Sequence, residues 1–155
     1  MSALRVDESG AVIRCAACGR SNRVPYARLT QTAVCGACQS NLPPLAEPVE
    51  ISSDSAFRAL IRDAAVPVLV DFWAPWCGPC RQMAPEVDRA AAHAEGAWLG
   101  AKVNTEELQR TAAGANIASI PALVLFDSGA EVARTAGARP AAAIEQFVRT
   151  ALRRA

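Results

Sequence analysis

All six cysteines of this 155-residue chain fall in three Cys-x-x-Cys pairs, and this feature constrains the fold more than any other. The pairs are Cys15/Cys18, Cys35/Cys38 and Cys77/Cys80. In a secreted protein, six cysteines would suggest three disulfides. The N-terminus turns acidic at Asp7 and Glu8, where a signal peptide needs its apolar core. We therefore expect a cytoplasmic protein, whose reducing surroundings favour metal binding or catalysis for these cysteines.

The charge balance excludes two broad classes of partner. Sixteen basic residues against fifteen acidic ones leave a net charge of +1, which argues against a polybasic nucleic-acid binder and an acidic tail. The purest apolar run, residues 66–70, contains Pro67 and is closed by Asp71, whereas a membrane helix needs about 20 apolar residues. We expect neither a nucleic-acid partner nor a membrane partner.

The first two cysteine pairs predict a metal site. Sixteen residues separate them, the spacing of a zinc ribbon, in which two knuckles bring four thiolates onto one Zn²⁺. A module of about 41 residues cannot bury enough apolar surface to fold without such support. Zinc binding would contribute on the order of 10 kcal/mol to its folding.

We expect one structural Zn²⁺ per chain, with Arg14, Arg20 and Arg23 offsetting part of the negative charge of its thiolates. The predicted ligands are Cys15, Cys18, Cys35 and Cys38. A redox-sensing or partner-binding ribbon remains the alternative.

The chain divides at a proline-rich segment. We predict a zinc ribbon over residues 1–41, a linker over 42–48 and a second domain over 49–155 with an independent core. From residue 49 the pattern alternates between strands and helices, and then gives a hairpin and a closing helix. This order predicts an α/β fold with a central mixed sheet and helices on both faces. The predicted elements include strands 66–73, 98–104, 121–126 and 132–137, helices 77–93 and 106–113, and a helix starting at Pro140.

The third cysteine pair has a different context, because it follows a buried strand and opens a helix. A thiolate at a helix N-terminus faces unsatisfied N–H groups and the positive end of the helix dipole. Cys77 should therefore have a lowered pKa and attack disulfides, and Cys80, one turn later, should resolve the mixed disulfide. Gly78 and Pro79 keep the intervening turn tight. This pattern indicates redox catalysis.

Residues 49–155 resemble the thioredoxin family. Residues 70–80, Val-Asp-Phe-Trp-Ala-Pro-Trp-Cys-Gly-Pro-Cys, match its active-site run, and Ile120-Pro121 matches its cis-proline. Gly129 and Gly137 match the glycines of its hairpin and last strand. The N-terminal region, with Asn-Arg-Val-Pro at residues 22–25, resembles the zinc-containing thioredoxin-2 type. Ala-Asn-Ile at residues 115–117 departs from the usual Tyr/Phe-Gly-Ile, and Arg81 replaces a frequent lysine.

The resemblance implies further roles. Asp71 matches a buried acid that exchanges a proton with Cys80 through a water, and Lys102, the single lysine, matches a residue near that acid. Asp71 as a hydrogen-bonded buried acid and Lys102 as a half-exposed strand residue remain alternatives. The resemblance also implies that substrates contact Trp76, Gly78, Pro79, Ile120 and Pro121.

The function implied is that of a thioredoxin, a protein-disulfide reductase taking part in electron transport. Its partners would be disulfide-containing proteins and an NADPH-dependent thioredoxin reductase, and the chain would act as a monomer. An oxidant or isomerase is a second possibility within redox chemistry. A zinc-ribbon interaction module with the thioredoxin fold as scaffold is a possibility from another class.

Overall fold

The computed structural model describes residues 4–29, 31–43 and 45–154. Residues 1–3 and Thr30 of the predicted ribbon, Pro44 of the predicted linker and Ala155 of the predicted second domain lie outside this part of the chain. Eight strands, four α-helices and one short 3₁₀ helix (Tyr26–Arg28) are found among the described residues. The strands are β1 Leu4–Asp7, β2 Gly10–Arg14, β3 Ser21–Val24, β4 Val49–Glu50, β5 Val68–Trp73, β6 Leu99–Asn104, β7 Ala122–Asp127 and β8 Ala130–Ala136. The helices are α1 Asp54–Asp63, α2 Gly78–His93, α3 Gln109–Gly114 and α4 Ala141–Arg154.

One mixed sheet contains all eight strands, in the order β3-β2-β1-β4-β6-β5-β7-β8. Strands β1, β4, β6 and β5 run parallel, and the outer strands on both sides pair antiparallel. The parallel neighbours β4, β6 and β5 are joined through helices, as parallel strands require. The predicted mixed sheet is confirmed.

Strand β5 separates two apolar cores. Val68, Val70 and Phe72 are buried on the face covered by α1, whereas Leu69 is buried on the face covered by α2 and α4. This alternation follows from the period of two in a strand, and it makes β5 apolar on both faces. The predicted arrangement of helices on both faces of the sheet is therefore confirmed.

Local signals explain several element boundaries. Ser53 is the N-cap of α1, and its hydroxyl accepts the amide of Ala56 at 3.1 Å. Ser128 and Gly129, both with positive φ, form the two-residue turn between β7 and β8. Helix α3 begins at Gln109 and not at the predicted residue 106. The side-chain oxygen of Asn104 accepts the amide of Glu106 and holds that segment in a turn.

The N-terminal region extends the sheet of the second domain. Strands β1 to β3 form a meander, and β1 pairs in parallel with β4 at Arg5 and Glu50. Asp7 begins the tight turn between β1 and β2, because its carboxylate accepts the amide of Ser9 at 2.8 Å. No pattern in the sequence is strong enough to predict these three strands. The division of the chain at residues 42–48 remains a prediction. The pairing of β1 with β4 joins the parts of the chain on either side of these residues.

Tyr26 lies where the ribbon meets the second domain. It is 2% exposed, its hydroxyl donates to the carbonyl of Asp7, and its own carbonyl accepts the amide of Ala65 at 3.2 Å. Burial raises the pKa of its phenol to about 12. Apolar side chains of the meander share one continuous core with the α1 face of the sheet. The predicted independent core of residues 49–155 is therefore supplemented by the ribbon. The contributing meander residues are Val6, Ala11, Ile13 and Val24.

None of the helices in the described ranges is both long and apolar enough to cross a bilayer.

The shared core predicts that a substitution in the ribbon destabilises the second domain. Tyr26→Ala should lower the free energy of unfolding by about 3–5 kcal/mol, the usual cost of removing a buried aromatic ring. All three tryptophans lie within residues 49–155, so their fluorescence in a urea titration reports on that domain. Val34→Ala is the control, because Val34 belongs to the ribbon but is 52% exposed. An unchanged fluorescence midpoint for Tyr26→Ala would show that the two parts unfold independently.

Candidate active site and metal site

The Cys77–Cys80 disulfide lies where β5 ends and α2 begins. Cys77 is the N-cap of α2, and its sulfur accepts the amide of Cys80 at 3.2 Å. The two cysteines are disulfide-bonded, with their Cα atoms 5.2 Å apart, and both are buried. An amide donor and the helix N-terminus both stabilise a thiolate at Cys77. The local geometry is therefore suited to reversible thiol–disulfide exchange.

The surface beside the disulfide is partly apolar. Trp76 is 66% exposed, whereas Trp73 is half-buried and packs against Ala74, Cys77 and Cys80, which form the cysteine cluster of the active site. Of the two residues between the cysteines in the sequence, Pro79 is exposed and Gly78 is half-buried. Trp76 is therefore accessible at the surface, whereas Trp73 is largely internal.

Ile120 lies against the same cluster and is joined to Pro121 by a cis peptide bond. The carbonyl of Pro121 accepts the amide of Gly137 at 2.9 Å, which ties this segment to the end of β8. The structure brings Ile120, and with it the adjoining Pro121, to the disulfide, although Ile120 is 40 residues from Cys80 in sequence.

Asp71 is a buried acid on β5. It is 2% exposed, and its Oδ1 has no hydrogen-bond partner among the described residues. Burial raises the pKa of its carboxyl from 3.8 to about 7, while the positive charge of Lys102 opposes this rise. Nearby Glu50 and Asp88 raise the pKa further. An acid with this pKa can accept or release a proton near neutral pH.

Lys102 lies directly across from Asp71 in the register of β6 and β5. Its ammonium forms an ion pair with Asp88 of α2, with the Nζ–Oδ1 distance at 3.2 Å. The lysine side chain is 15% exposed, so it is more buried than a half-exposed strand residue. Asp88 and Glu50 were missed by the sequence reasoning, since nothing in the local pattern distinguishes them from other surface acids.

Two departures from the family pattern have local explanations. Asn116 has a φ of +55° at the end of α3, a conformation that asparagine tolerates better than most residues and that glycine more commonly supplies. The guanidinium of Arg81 donates to the carbonyl of Pro75 at 3.1 Å, beside the active-site turn. Asparagine therefore preserves the helix-ending turn.

The four remaining cysteines converge at one place. Their Sγ atoms all lie within 4.8 Å of one another, with Cys15 to Cys38 and Cys18 to Cys35 each at 3.6 Å. Four sulfurs around a tetrahedral Zn²⁺, at the usual Zn–S length, would lie roughly 3.8 Å apart. The cluster therefore has the size and the donor set of a tetrathiolate metal site.

The backbone of both knuckles has the same form. In each knuckle the first cysteine donates its amide to the residue five positions later, and its carbonyl accepts the amide of the residue four positions later. That fourth residue has positive φ in both cases, +79° at Gly19 and +66° at Gln39. The repeated turn directs both sulfurs of each pair to the same side.

Protein donors support negative charge at the sulfur of Cys35. Backbone amides of Cys38 and Ala37 lower the pKa of Cys35 to about 6, and the Asn22 side chain also donates to this sulfur. Arg23, which we expected to offset the cluster's charge, instead pairs with Asp7 at 2.6 Å. The residues fit a metal ion, and the amides supply part of the charge compensation.

Comparison with known proteins places both regions. Residues 47–150 match the thioredoxin family model, and residues 14–40 match the model described as thioredoxin 2, N-terminal. Thioredoxin C-3 of Corynebacterium nephridii is 41% identical over 137 residues, covering 88% of this chain and 92% of that protein. Thioredoxin 1 of Nostoc is 48% identical over 94 residues, covering 61% of this chain and 88% of that protein.

Solved structures agree with this assignment. A mutant thioredoxin from Halobacterium salinarum superposes with a TM-score of 0.63 at 28% identity, over 68% of this chain and 91% of that one. A Plasmodium falciparum thioredoxin gives 0.61 at 28% identity, over 65% of this chain and 96% of that one. The predicted fold and redox function are confirmed. The chain belongs to the thioredoxin family, in the type with an N-terminal zinc ribbon, and is a thiol–disulfide oxidoreductase.

Proposed function

We propose that this chain reduces disulfides in proteins through a Cys77/Cys80 cycle. The observation that carries the proposal is the placement of Cys77 as the N-cap of α2, bonded to Cys80 and beside the exposed Trp76. The reduced pair supplies two electrons to a substrate disulfide and becomes the disulfide described above. An NADPH-dependent thioredoxin reductase returns the two electrons.

In the first step the Cys77 thiolate attacks one sulfur of the substrate disulfide. A bond forms between Cys77 Sγ and that sulfur, and the other substrate sulfur leaves as a thiolate that takes a proton from water. The helix N-terminus favours Cys77 as the attacking group, because it stabilises negative charge at the N-cap position. The product is a mixed disulfide.

In the second step Cys80 releases the substrate. Its thiol loses a proton to the Asp71 carboxylate through an intervening water, and the resulting thiolate attacks Cys77 Sγ. The Cys77–Cys80 bond forms and the second substrate thiolate leaves. Two observations support this role: the pKa of Asp71 is raised to about 7, and its Oδ1 has no hydrogen-bond partner in the described part of the chain. Lys102, opposite Asp71 in register, moderates the pKa of the acid.

A protein substrate would lie across Trp76 and the segment at Ile120 and Pro121. An extended strand of the substrate pairs with the Ile120 backbone, which brings its disulfide to Cys77. Gly78 and Pro79 border this surface. The contact between Ile120 and the cysteine cluster supports the placement.

The ribbon holds one structural Zn²⁺ through its four cysteines, and the metal supplies folding energy to residues 1–41. Residues 42–48 link it to the catalytic domain over 49–155. The free thiolates that this site and the Cys77/Cys80 cycle need are consistent with a reducing compartment such as the cytoplasm.

We also propose a monomer, because the exposed large apolar side chains among the described residues are only Val34 and Trp76.

The order of attack predicts different behaviour for two serine variants. Cys80→Ser should accumulate a mixed disulfide with the substrate, since Cys77 can attack but nothing resolves the product. Cys77→Ser should trap no substrate and lose insulin reduction. Gel electrophoresis without reductant, followed by mass analysis of the linked peptides, measures both. Equal trapping by the two variants would contradict the assigned roles.

The buried acid predicts a pH-dependent stability change. The pKa of Asp71 is about 7 in the folded chain against 3.8 ordinarily, so the folded state retains the proton more strongly. Its ionisation therefore costs stability progressively from pH 4 to 7 and fully above, by on the order of 4 kcal/mol. Asp71→Asn should stabilise the fold at pH 8, with little effect near pH 4, and should slow turnover near neutrality. Urea titrations at both pH values and a pH–rate profile test this. A pH–rate profile of Asp71→Asn that matches the wild-type profile would exclude the proton relay.

Metal analysis tests the ribbon. The reduced protein should contain one zinc per chain, and Cys35→Ser should lower this content at least severalfold because a ligand is lost. The double variant Cys77→Ser/Cys80→Ser is the matched control and should retain the full content. Peroxide should release the zinc, and reduction of Cys77/Cys80 should then restore most insulin reduction. Zinc content near zero in fresh reduced protein would contradict the site.

A further inference from the structure

The segment between α3 and β7, residues 115–121, is fixed at one end to β8 and at the other to Gly137, the residue that follows β8. At its far end the carbonyl of Pro121 accepts the amide of Gly137. At its near end the side chain of Arg134 reaches across from β8. Its Nη2 donates to the carbonyl of Ala115 at 2.8 Å and its Nη1 to the carbonyl of Asn116 at 3.2 Å. Between these anchors, residues 118–120 make no hydrogen bond with the described residues.

The two carbonyls that Arg134 contacts need a donor, because they follow the end of a helix. Helix α3 ends at Gly114, and the positive φ of Asn116 turns the chain away from the helix axis. Carbonyls at this position lack an intrahelical partner. A guanidinium can serve both at once, since its donors point in fixed directions within one plane.

Glu131 orients the guanidinium. Its carboxylate accepts from Nε of Arg134 at 2.6 Å and also from Nη2, which is a bidentate pair within β8. The Arg134 side chain is 40% exposed, so the ion pair adds little to global stability. The contacts of Arg134 therefore do more for the path of the segment than for the free energy of unfolding.

We propose that Arg134 is a positioning residue for substrate binding, which holds residues 117–120 so that the Ile120 backbone can pair with a polypeptide substrate. The proposal rests on the proposed function and names its substrate class as disulfides within extended protein segments. A small disulfide needs only access to Cys77 and makes no pairing with this backbone. Arg134 thus affects reduction of proteins and not reduction of small disulfides.

The experiment measures second-order rate constants for oxidation of the reduced full-length protein, by acid quench and thiol alkylation. The two oxidants are insulin and hydroxyethyl disulfide, which is uncharged and therefore insensitive to loss of a positive charge. Arg134→Gln should slow the reaction with insulin at least fivefold and leave that with hydroxyethyl disulfide within twofold. Arg134→Lys keeps the charge but can reach only one carbonyl, and it should lie between wild type and Arg134→Gln.

Arg62→Gln is the matched control, because Arg62 also forms an exposed bidentate pair, with Asp63 on α1. It should leave both rate constants unchanged. Equal slowing with both oxidants, or an unchanged rate with insulin, would overturn the role of Arg134. If Arg134→Gln does not fold, Arg134→Lys and Glu131→Gln replace it. The ratio of the rate constant with insulin to that with hydroxyethyl disulfide is then compared with the wild-type ratio. Failure of the proposed function is distinguishable, since the wild type itself would then not reduce insulin.

Discussion

Strand β5 is hydrogen-bonded along both edges and buried on both faces, and the remaining architecture depends on this placement. Its pairing with β6 puts Asp71 opposite Lys102, and its pairing with β7 brings the end of β5 beside Ala122, the residue after Pro121. The chain leaves β5 at Trp73 and enters α2 at Gly78, after four intervening residues. A helix N-terminus, a buried acid and a substrate-binding segment therefore meet at one edge of the sheet. The backbone pairing of β5 with its neighbours, and not contacts among the active-site side chains, holds these three parts together.

The parts of this arrangement that sequence could predict are local. Short-range patterns predict the cysteine knuckles, strand β5 and the β7–β8 turn, because the relevant interactions span only a few residues. These patterns are the cysteine spacing, the apolar run of β5 and the glycine of the turn. The start of α3 was predicted three residues early, since the side chain of Asn104 competes with the helix for a backbone amide. The β1–β3 meander was not predicted. Its short strands are stable only through pairing with β4, a partner about 45 residues away in sequence.

The site shows the same limit. Motifs identified the two cysteines, Asp71 and Pro121, but not Asp88, which pairs with Lys102, or Arg134, which contacts the end of α3. These two residues are ordinary charged positions on amphipathic elements, and their partners lie 14 and 18 or more residues away. Only the packing of a helix or strand against its neighbours gives them a specific contact.

The position of the ribbon also determines which edges of the sheet are open to other chains. Strand β1 covers β4, so the free edges belong to β3 and β8. Both carry charged side chains, Arg23 on β3 and the Glu131–Arg134 pair on β8. Charges on an edge strand oppose pairing with a second sheet, which is the first step of many aggregation processes. By covering the short β4, the ribbon replaces an edge beside the buried Val49 and Ile51 with one that resists self-association.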